Sequence, residues 1–177
     1  MHITLRAKRG LPSFRRQALF AAFKEAFRRT RREDFRIVEY SVQSNHLHLI
    51  VEATDKEALA RGMKSFTVRA NRLFNVAWGR KRGQVWGDRY HRRDLTSPRS
   101  VRNALVYCLN NHRKHMKNTR SEPKADACSS GPWFEGWAEA PFIDDDSRPT
   151  PRARTWLLSV GWRKRGKLLM SDTPRES

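Results

Sequence analysis

Gln43-Ser44-Asn45-His46-Leu47-His48-Leu49-Ile50-Val51-Glu52 is the stretch on which the fold turns. Leu47 to Val51 are large aliphatic and β-branched residues, and Phe35-Arg36-Ile37-Val38-Glu39-Tyr40-Ser41-Val42 has the same texture. Two strand-like runs separated by polar Gln-Ser-Asn predict a hairpin over residues 35–53. Side chains alternate faces along a strand, so His46 and His48 point the same way with Leu47 behind them. Two imidazoles about 7 Å apart on one rigid strand can chelate a single ion. They can equally sit satisfied on a solvated sheet face. The neighbouring segments decide between these readings.

On the N-terminal side, His2-Ile3-Thr4-Leu5-Arg6-Ala7 alternates and predicts a strand, closed by Gly10 and Pro12. From Ser13 onward, Leu19, Phe20, Phe23 and Phe27 recur at helical spacing, an aromatic stripe expected in the core. Arg28-Arg29-Thr30-Arg31-Arg32 ends that helix and complements its negative dipole end. After the hairpin, Leu59, Met63, Phe66, Ala70 and Leu73 predict a second amphipathic helix from about Asp55 to Asn75, interrupted only by Gly62.

Gly79-Arg80-Lys81-Arg82-Gly83 is a basic loop bracketed by glycines, and Gln84 to Leu95 reads as an irregular strand. Trp86 and Tyr90 share one alternation phase, suited to packing. Arg89, His91 and Arg93 share the other, suited to phosphates. Trp86 can also stack on a base, but core packing is the preferred expectation. Ser97 and Pro98 start a third helix as N-cap and first helical residue, running to about Lys114. Its core stripe is Val101, Leu105, Cys108 and Leu109. At about 100° per residue, Asn103, Tyr107, Asn110, Asn111 and Lys114 fall on a different, polar face. Strand, helix, strand, strand, helix, strand spell an α+β fold: a ferredoxin-like split βαβ antiparallel sheet with helices on one face. The third helix covers or borders the other face and brings Tyr107 toward the histidines.

The chain has 177 residues, a net charge of +19 and an isoelectric point near 11.2. Residues 1–117 hold 27 Lys and Arg against 9 Asp and Glu, a balance of +18, whereas residues 118–177 hold 10 and 9. Positive charge concentrated on one domain is the electrostatic footprint expected for nucleic acid. Cys108 and Cys128 lack metal-ligand spacing and suggest no disulfide framework, which fits a reducing compartment. No run approaches membrane-spanning length and no signal-peptide core is present. The expected setting is cytoplasmic, beside the nucleoid.

Beyond Lys117 the texture changes to a polar loop followed by islands of large aromatics around Trp133, Trp137, Trp156 and Trp162. Residues 118–177 are too poor in apolar content for an independent core. The expected division is a catalytic domain over 1–117 and an extended, roughly neutral Trp-rich tail over 118–177 packed on it. Asp144-Asp145-Asp146 is most simply a solvated turn.

The histidine pair can hold a hard divalent ion, Asn111 offers an amide oxygen one turn beyond Tyr107, and a phosphate can fill the remaining positions. A tyrosine hydroxyl beside such a site is a competent nucleophile toward a phosphodiester. Asn45-His46-Leu47-His48-Leu49-Ile50-Val51 with Tyr107-Cys108-Leu109-Asn110-Asn111-His112-Arg113-Lys114-His115 resembles the HUH endonucleases (histidine, hydrophobic, histidine). The order and spacing, with the strand from Trp86 to His91 between, resemble the single-tyrosine transposases and specifically their REP-associated branch. The resemblance covers residues 2–117, about two-thirds of the chain. It implies that His46 and His48 bind Mg²⁺ or Mn²⁺, with Asn111 as third ligand. Insertion-sequence relatives carry a glutamine there; asparagine fits the REP-associated branch. It further implies that Tyr107 attacks single-stranded DNA beside a hairpin, leaving a 5′-phosphotyrosine and a free 3′-OH. The expected DNA-contacting residues are Arg80, Lys81, Arg82, Arg89, Arg93 and Lys114. No small-molecule cofactor is expected, and the protein is read as a monomer or homodimer. A replication initiator or relaxase, a binding-only module with a decayed site, and a hydrolytic nuclease remain as alternatives.

Overall fold

The computed structural model describes residues 1–111, 124–139, 143 and 147–174. Lys114 and the Asp144–Asp146 triplet therefore lie outside the described residues. The elements run β1 (His2–Arg6), α1 (Gln17–Arg29), β2 (Phe35–Val42), β3 (His46–Ala53), α2 (Lys56–Ala77), β4 (His91–Arg93) and α3 (Pro98–Asn110). The four strands form one antiparallel sheet in the order β2-β3-β1-β4. This is the split βαβ arrangement of an α+β fold.

The sheet separates two cores. On one side, Ile3, Leu5, Leu47, Leu49 and Val51 meet Phe14, Phe23 and Phe27 of the α1 region and Met63, Phe66 and Phe74 of α2. Phe27 lies between the rings of Tyr40 and Phe66 at 4.4 and 5.3 Å. Trp86 belongs to this core: its ring meets Phe14, Phe23 and Phe66, and its indole donates to the Thr67 carbonyl at 3.0 Å. Packing, not base stacking, accounts for it. Gly62 is placed where a Cβ would sit 2.1 Å from the Phe35 ring. The glycine that interrupts the helical pattern is what lets β2 approach α2 so closely.

β2 has no single alternation phase. Phe35 and Ile37, then Tyr40 and Val42, all face the helices, because the register slips between Ile37 and Glu39. A bulge adds one residue and inverts the phase beyond it. It also sends the Val38 carbonyl outward, where Thr150 Oγ1 and the Arg148 guanidinium donate to it at 2.9 and 3.2 Å.

On the other side, Ile50 of β3 and Val101, Leu105, Cys108 and Leu109 of α3 meet Phe134, Trp137, Trp162 and Leu168. Trp137 and Trp162 are 2% and 1% exposed, and the Trp162 ring stacks on Phe134 at 5.6 Å. Trp156 departs from the expected anchoring: it is 54% exposed, with the Lys164 ammonium over its ring. Described residues beyond 124 are tied to the sheet by polar contacts too. Arg15 donates twice to Asp126 at 2.8 and 2.7 Å, and the Val42 N–H donates to the Cys128 carbonyl at 2.8 Å. Glu52 accepts from the backbone of Arg154 and Thr155, and Glu39 pairs with Arg148. These segments cover the β2 edge, a position where open backbone groups invite unwanted pairing.

The expected strand over 84–95 contracts to His91–Arg93, preceded by a single bridge from Trp86 to Ala7. The glycine-bracketed loop is held instead by side chains of α2. Asn71 and Asn75 both donate to the Gly83 carbonyl at 2.9 Å, and Asn71 accepts from the Val85 N–H at 2.8 Å. Cys108 and Cys128 are free thiols.

Candidate active site

The hairpin loop Gln43–Asn45 delivers His46 as the first residue of β3 and His48 two residues on, on the face turned away from the aromatic core. Their ring centroids lie 4.7 Å apart in an edge-on arrangement, closer than the backbone repeat because the rings lean together. His48 is 3% exposed, and His46 is half-buried at the rim. Asn45 Oδ1 accepts from His46 Nδ1 at 2.8 Å.

Tyr107 approaches from above. Ser97 and Ser100 form a reciprocal cap at 3.0 and 3.1 Å that fixes where α3 begins. The stripe Val101, Leu105, Cys108 and Leu109 is buried as expected, and this sets the helix rotation. The Cys108 thiol meets the His48 carbonyl at 3.7 Å, pinning α3 against β3 beside the histidine. Tyr107 is half-buried, its ring edge-on to His48 with centroids 4.9 Å apart. Asn111, four residues on at the helix end, is 3% exposed; helical spacing puts it on the side of Tyr107. Asn110 serves elsewhere. Its amide donates to the carbonyls of Leu169 and Asp172 at 3.2 and 2.9 Å, and the side chain is buried against the C-terminal segment rather than lying on the polar face.

Two side chains that sequence reasoning missed complete the arrangement. Thr4 is the direct partner of His48 across β1 and β3, and His2 lies two residues from it on the same face. Thr4 Oγ1 and His2 Nε2 each lie 3.3 Å from His48 Nδ1. The His2 ring also meets Tyr107 edge-on at 5.7 Å. Burial pushes the His2 imidazole down to about 4, with nearby positive charge adding to the effect, so it is neutral at ordinary pH. The alternation of His2-Ile3-Thr4 marks a polar phase; only the β1–β3 register brings that phase to His48.

A cleft of about 230 Å³ opens beside Tyr107, lined among others by His2, Thr4, Arg93 and Asn103. Arg93 reaches it because β4 pairs with β1 in a register that sets Arg93 opposite His2. Arg89 is exposed on the approach to β4, and Lys81 and Arg82 are exposed in the loop after α2. Arg80 turns inward: it donates to Asn75 Oδ1 at 2.9 and 2.6 Å and lies over the Trp78 ring at 4.2 Å.

Among the described residues, no three His, Cys, Asp or Glu side chains converge on one point. The donor set is therefore two imidazoles, to which Asn111 can add an amide oxygen and a bound phosphodiester its own oxygens. That composition fits a divalent ion with open positions. In each imidazole the protein engages Nδ1, as outer partners do when a histidine ligates through its other nitrogen.

The remaining tyrosines are placed differently. Tyr40 is wholly buried under Phe27, its hydroxyl pushed up chiefly by burial. Tyr90 is half-buried against the aromatic core on the far side of the sheet. No helix among the described residues is long and apolar enough to cross a membrane.

No curated protein matches the chain. The model of a family described as IS200-like transposase matches residues 1–118, which contain the whole sheet, the histidine pair and the Tyr107 helix. The chain belongs to the IS200-like transposase family, a family of transposase-type DNA endonucleases.

Proposed function

We propose that the protein cleaves and rejoins single-stranded DNA beside hairpins through a covalent tyrosine intermediate, mobilising repetitive palindromic elements as the REP-associated branch does. The observation that carries this reading is the 4.9 Å edge contact between Tyr107 and His48, with His46 alongside and Arg93 across the cleft. His46, His48 and Asn111 would hold Mg²⁺ or Mn²⁺, which supplies charge neutralisation and polarisation of the scissile phosphate. Tyrosine is a weak nucleophile near neutral pH, with a reference pKa near 10. It therefore needs a polarised phosphate and a nearby cation. Arg93 supports that role by lining the same cleft.

In the step itself, the Tyr107 oxygen forms a bond to phosphorus, and the bond from phosphorus to the 3′ oxygen breaks. The phenolic proton is lost and the leaving oxygen gains one, giving a 3′-OH and a 5′-phosphotyrosine. A second 3′-OH reverses the exchange, so rejoining needs no external energy source. Lys81, Arg82 and Arg89 are exposed cations available to the flanking backbone. The asparagine at 111 supports the REP-associated branch over relatives with a glutamine in that position.

Incubation with hairpin oligonucleotides carrying single-stranded flanks and Mn²⁺, followed by a denaturing gel, tests the reading. The wild type should yield a boiling-resistant protein–DNA adduct mapping to Tyr107, and Tyr107→Phe should fold and bind DNA yet give none. An adduct persisting in Tyr107→Phe sinks the assignment of the nucleophile. Metal-dependent cleavage without an adduct in either protein would make the enzyme a hydrolase.

A further inference from the structure

Neither histidine of the HUH pair is held by its own strand alone. Asn45 Oδ1 accepts from His46 Nδ1 at 2.8 Å, and an amide oxygen can only accept, so that ring carries its proton on Nδ1. His48 has no such neighbour in sequence. Its Nδ1 meets side chains from β1 instead, His2 Nε2 and Thr4 Oγ1, both at 3.3 Å.

We infer that His2 is a positioning residue for the metal centre: its Nε2 accepts from His48 Nδ1, fixing the His48 tautomer and ring orientation so that Nε2 is presented to the divalent ion. The inference rests on the metal reading above and extends it to a residue outside the HUH and tyrosine motifs. Two further observations support positioning over ligation. The described residues hold no converging trio of His, Cys, Asp or Glu, so His2 is not a third ligand to a shared point. Its nearest approach to His48 is through Nδ1, the nitrogen opposite the one a metal would take. The His2 ring is itself wedged between His48 at 5.3 Å and Tyr107 at 5.7 Å, which limits its freedom to turn away. One side chain on the central strand thereby links the orientation of a metal ligand to the nucleophile's position. Thr4 Oγ1 lies at the same 3.3 Å and can share the bond, so His2 is not the sole contributor.

Mn²⁺ binding to the full chain without DNA, followed by electron paramagnetic resonance titration, separates the possibilities. His2→Phe keeps the flat ring but removes the acceptor; His2→Gln restores a side-chain acceptor. The expected result is Mn²⁺ affinity lowered by about 10- to 100-fold in His2→Phe and largely recovered in His2→Gln. DNA binding measured without metal should be unchanged. Wild-type Mn²⁺ affinity in His2→Phe, with binding lost in His48→Ala, overturns the role of His2 while leaving the metal site standing. Equal Mn²⁺ binding by wild type and His48→Ala, or none by the wild type, overturns the metal reading and the inference with it. Nitrogen-15 imidazole spectra of the wild type provide a measurement independent of variant folding. They should show His48 protonated at Nδ1, and an Nε2-protonated His48 refutes the proposal.

Discussion

At the scale of single residues, the site depends on groups that are ordinary alone and specific in company. A histidine pair two residues apart is common, and a half-buried tyrosine on a helix is common. Their meeting edge-on at 4.9 Å, with an arginine across the cleft, is not explained by packing needs. The core stripe of α3 is complete without Tyr107. We predict that His46→Ala abolishes Mn²⁺-dependent cleavage while hairpin affinity changes only a few-fold, because phosphate contacts dominate DNA binding. His46 is half-buried at the rim, so its replacement should leave the thermal midpoint nearly unchanged. His48 is buried, and His48→Ala should lose cleavage and also some stability. Parallel melting curves and cleavage gels check both. Loss of folding in His46→Ala would mark that histidine as structural. The shared face of His46 and His48 and the turn of Tyr107 away from the core stripe were legible in the sequence because strand and helix periods are local properties. His2 was not legible: its place beside His48 follows from strand register, which is set by a distant part of the chain.

At the scale of elements, most of the architecture followed from periodicity, and the departures have physical causes. The first two helices and the hairpin came from aliphatic and aromatic spacing. The third helix began where a serine precedes a proline. The phase change in β2 was hidden because its two halves read as one β-rich run; the bulge becomes visible only through pairing with β3. Helical spacing turns Asn110 away from the apolar stripe, toward a face that the α3 sequence alone reads as polar. Its burial depends on carbonyls of Leu169 and Asp172 far along the chain. Gly62 gives the sharpest test of the close approach between α2 and β2. In an exposed helix, Gly→Ala gains up to about 1 kcal/mol. Here the new methyl would lie 2.1 Å from the ring of fully buried Phe35. Overpacking of that kind costs about 1–3 kcal/mol, so the clash outweighs the propensity gain. Gly62→Ala should therefore lower stability by up to about 2 kcal/mol in urea unfolding. A stabilised variant would mean that Phe35 moves aside without cost.

At the scale of the whole molecule, charge and the C-terminal segments set the behaviour. Positive groups lie in the cleft at Arg93, exposed in the loops before β4 at Lys81, Arg82 and Arg89, and on the helix layer at Arg29, Arg61 and Lys64. Counterion release then makes DNA affinity steeply salt-dependent: with six to ten phosphates contacted, it should fall roughly 10³-fold or more between 50 and 200 mM salt. A flat response in filter binding would remove the electrostatic basis of the DNA reading. The C-terminal segments call for a different measurement. Phe134, Trp137, Trp162 and Leu168 form one wall of the second core, whose other wall is Ile50 and the α3 stripe beneath Tyr107. The helix that carries the proposed nucleophile thus packs on the sheet from one side and on Phe134, Trp137, Trp162 and Leu168 from the other. Trp162 is 1% exposed and stacked on Phe134, so Trp162→Ala should cost about 3–5 kcal/mol. For a chain of this size, that corresponds to a midpoint lower by roughly 6–20 °C. Truncation after Lys117 removes the whole wall and should be worse than the point substitution, leaving Ile50, Val101, Leu105 and Leu109 uncovered. If Trp162→Ala and the truncated chain melt like the wild type, those aromatics do not support α3. The C-terminal segments would then be an appendage rather than part of the catalytic scaffold.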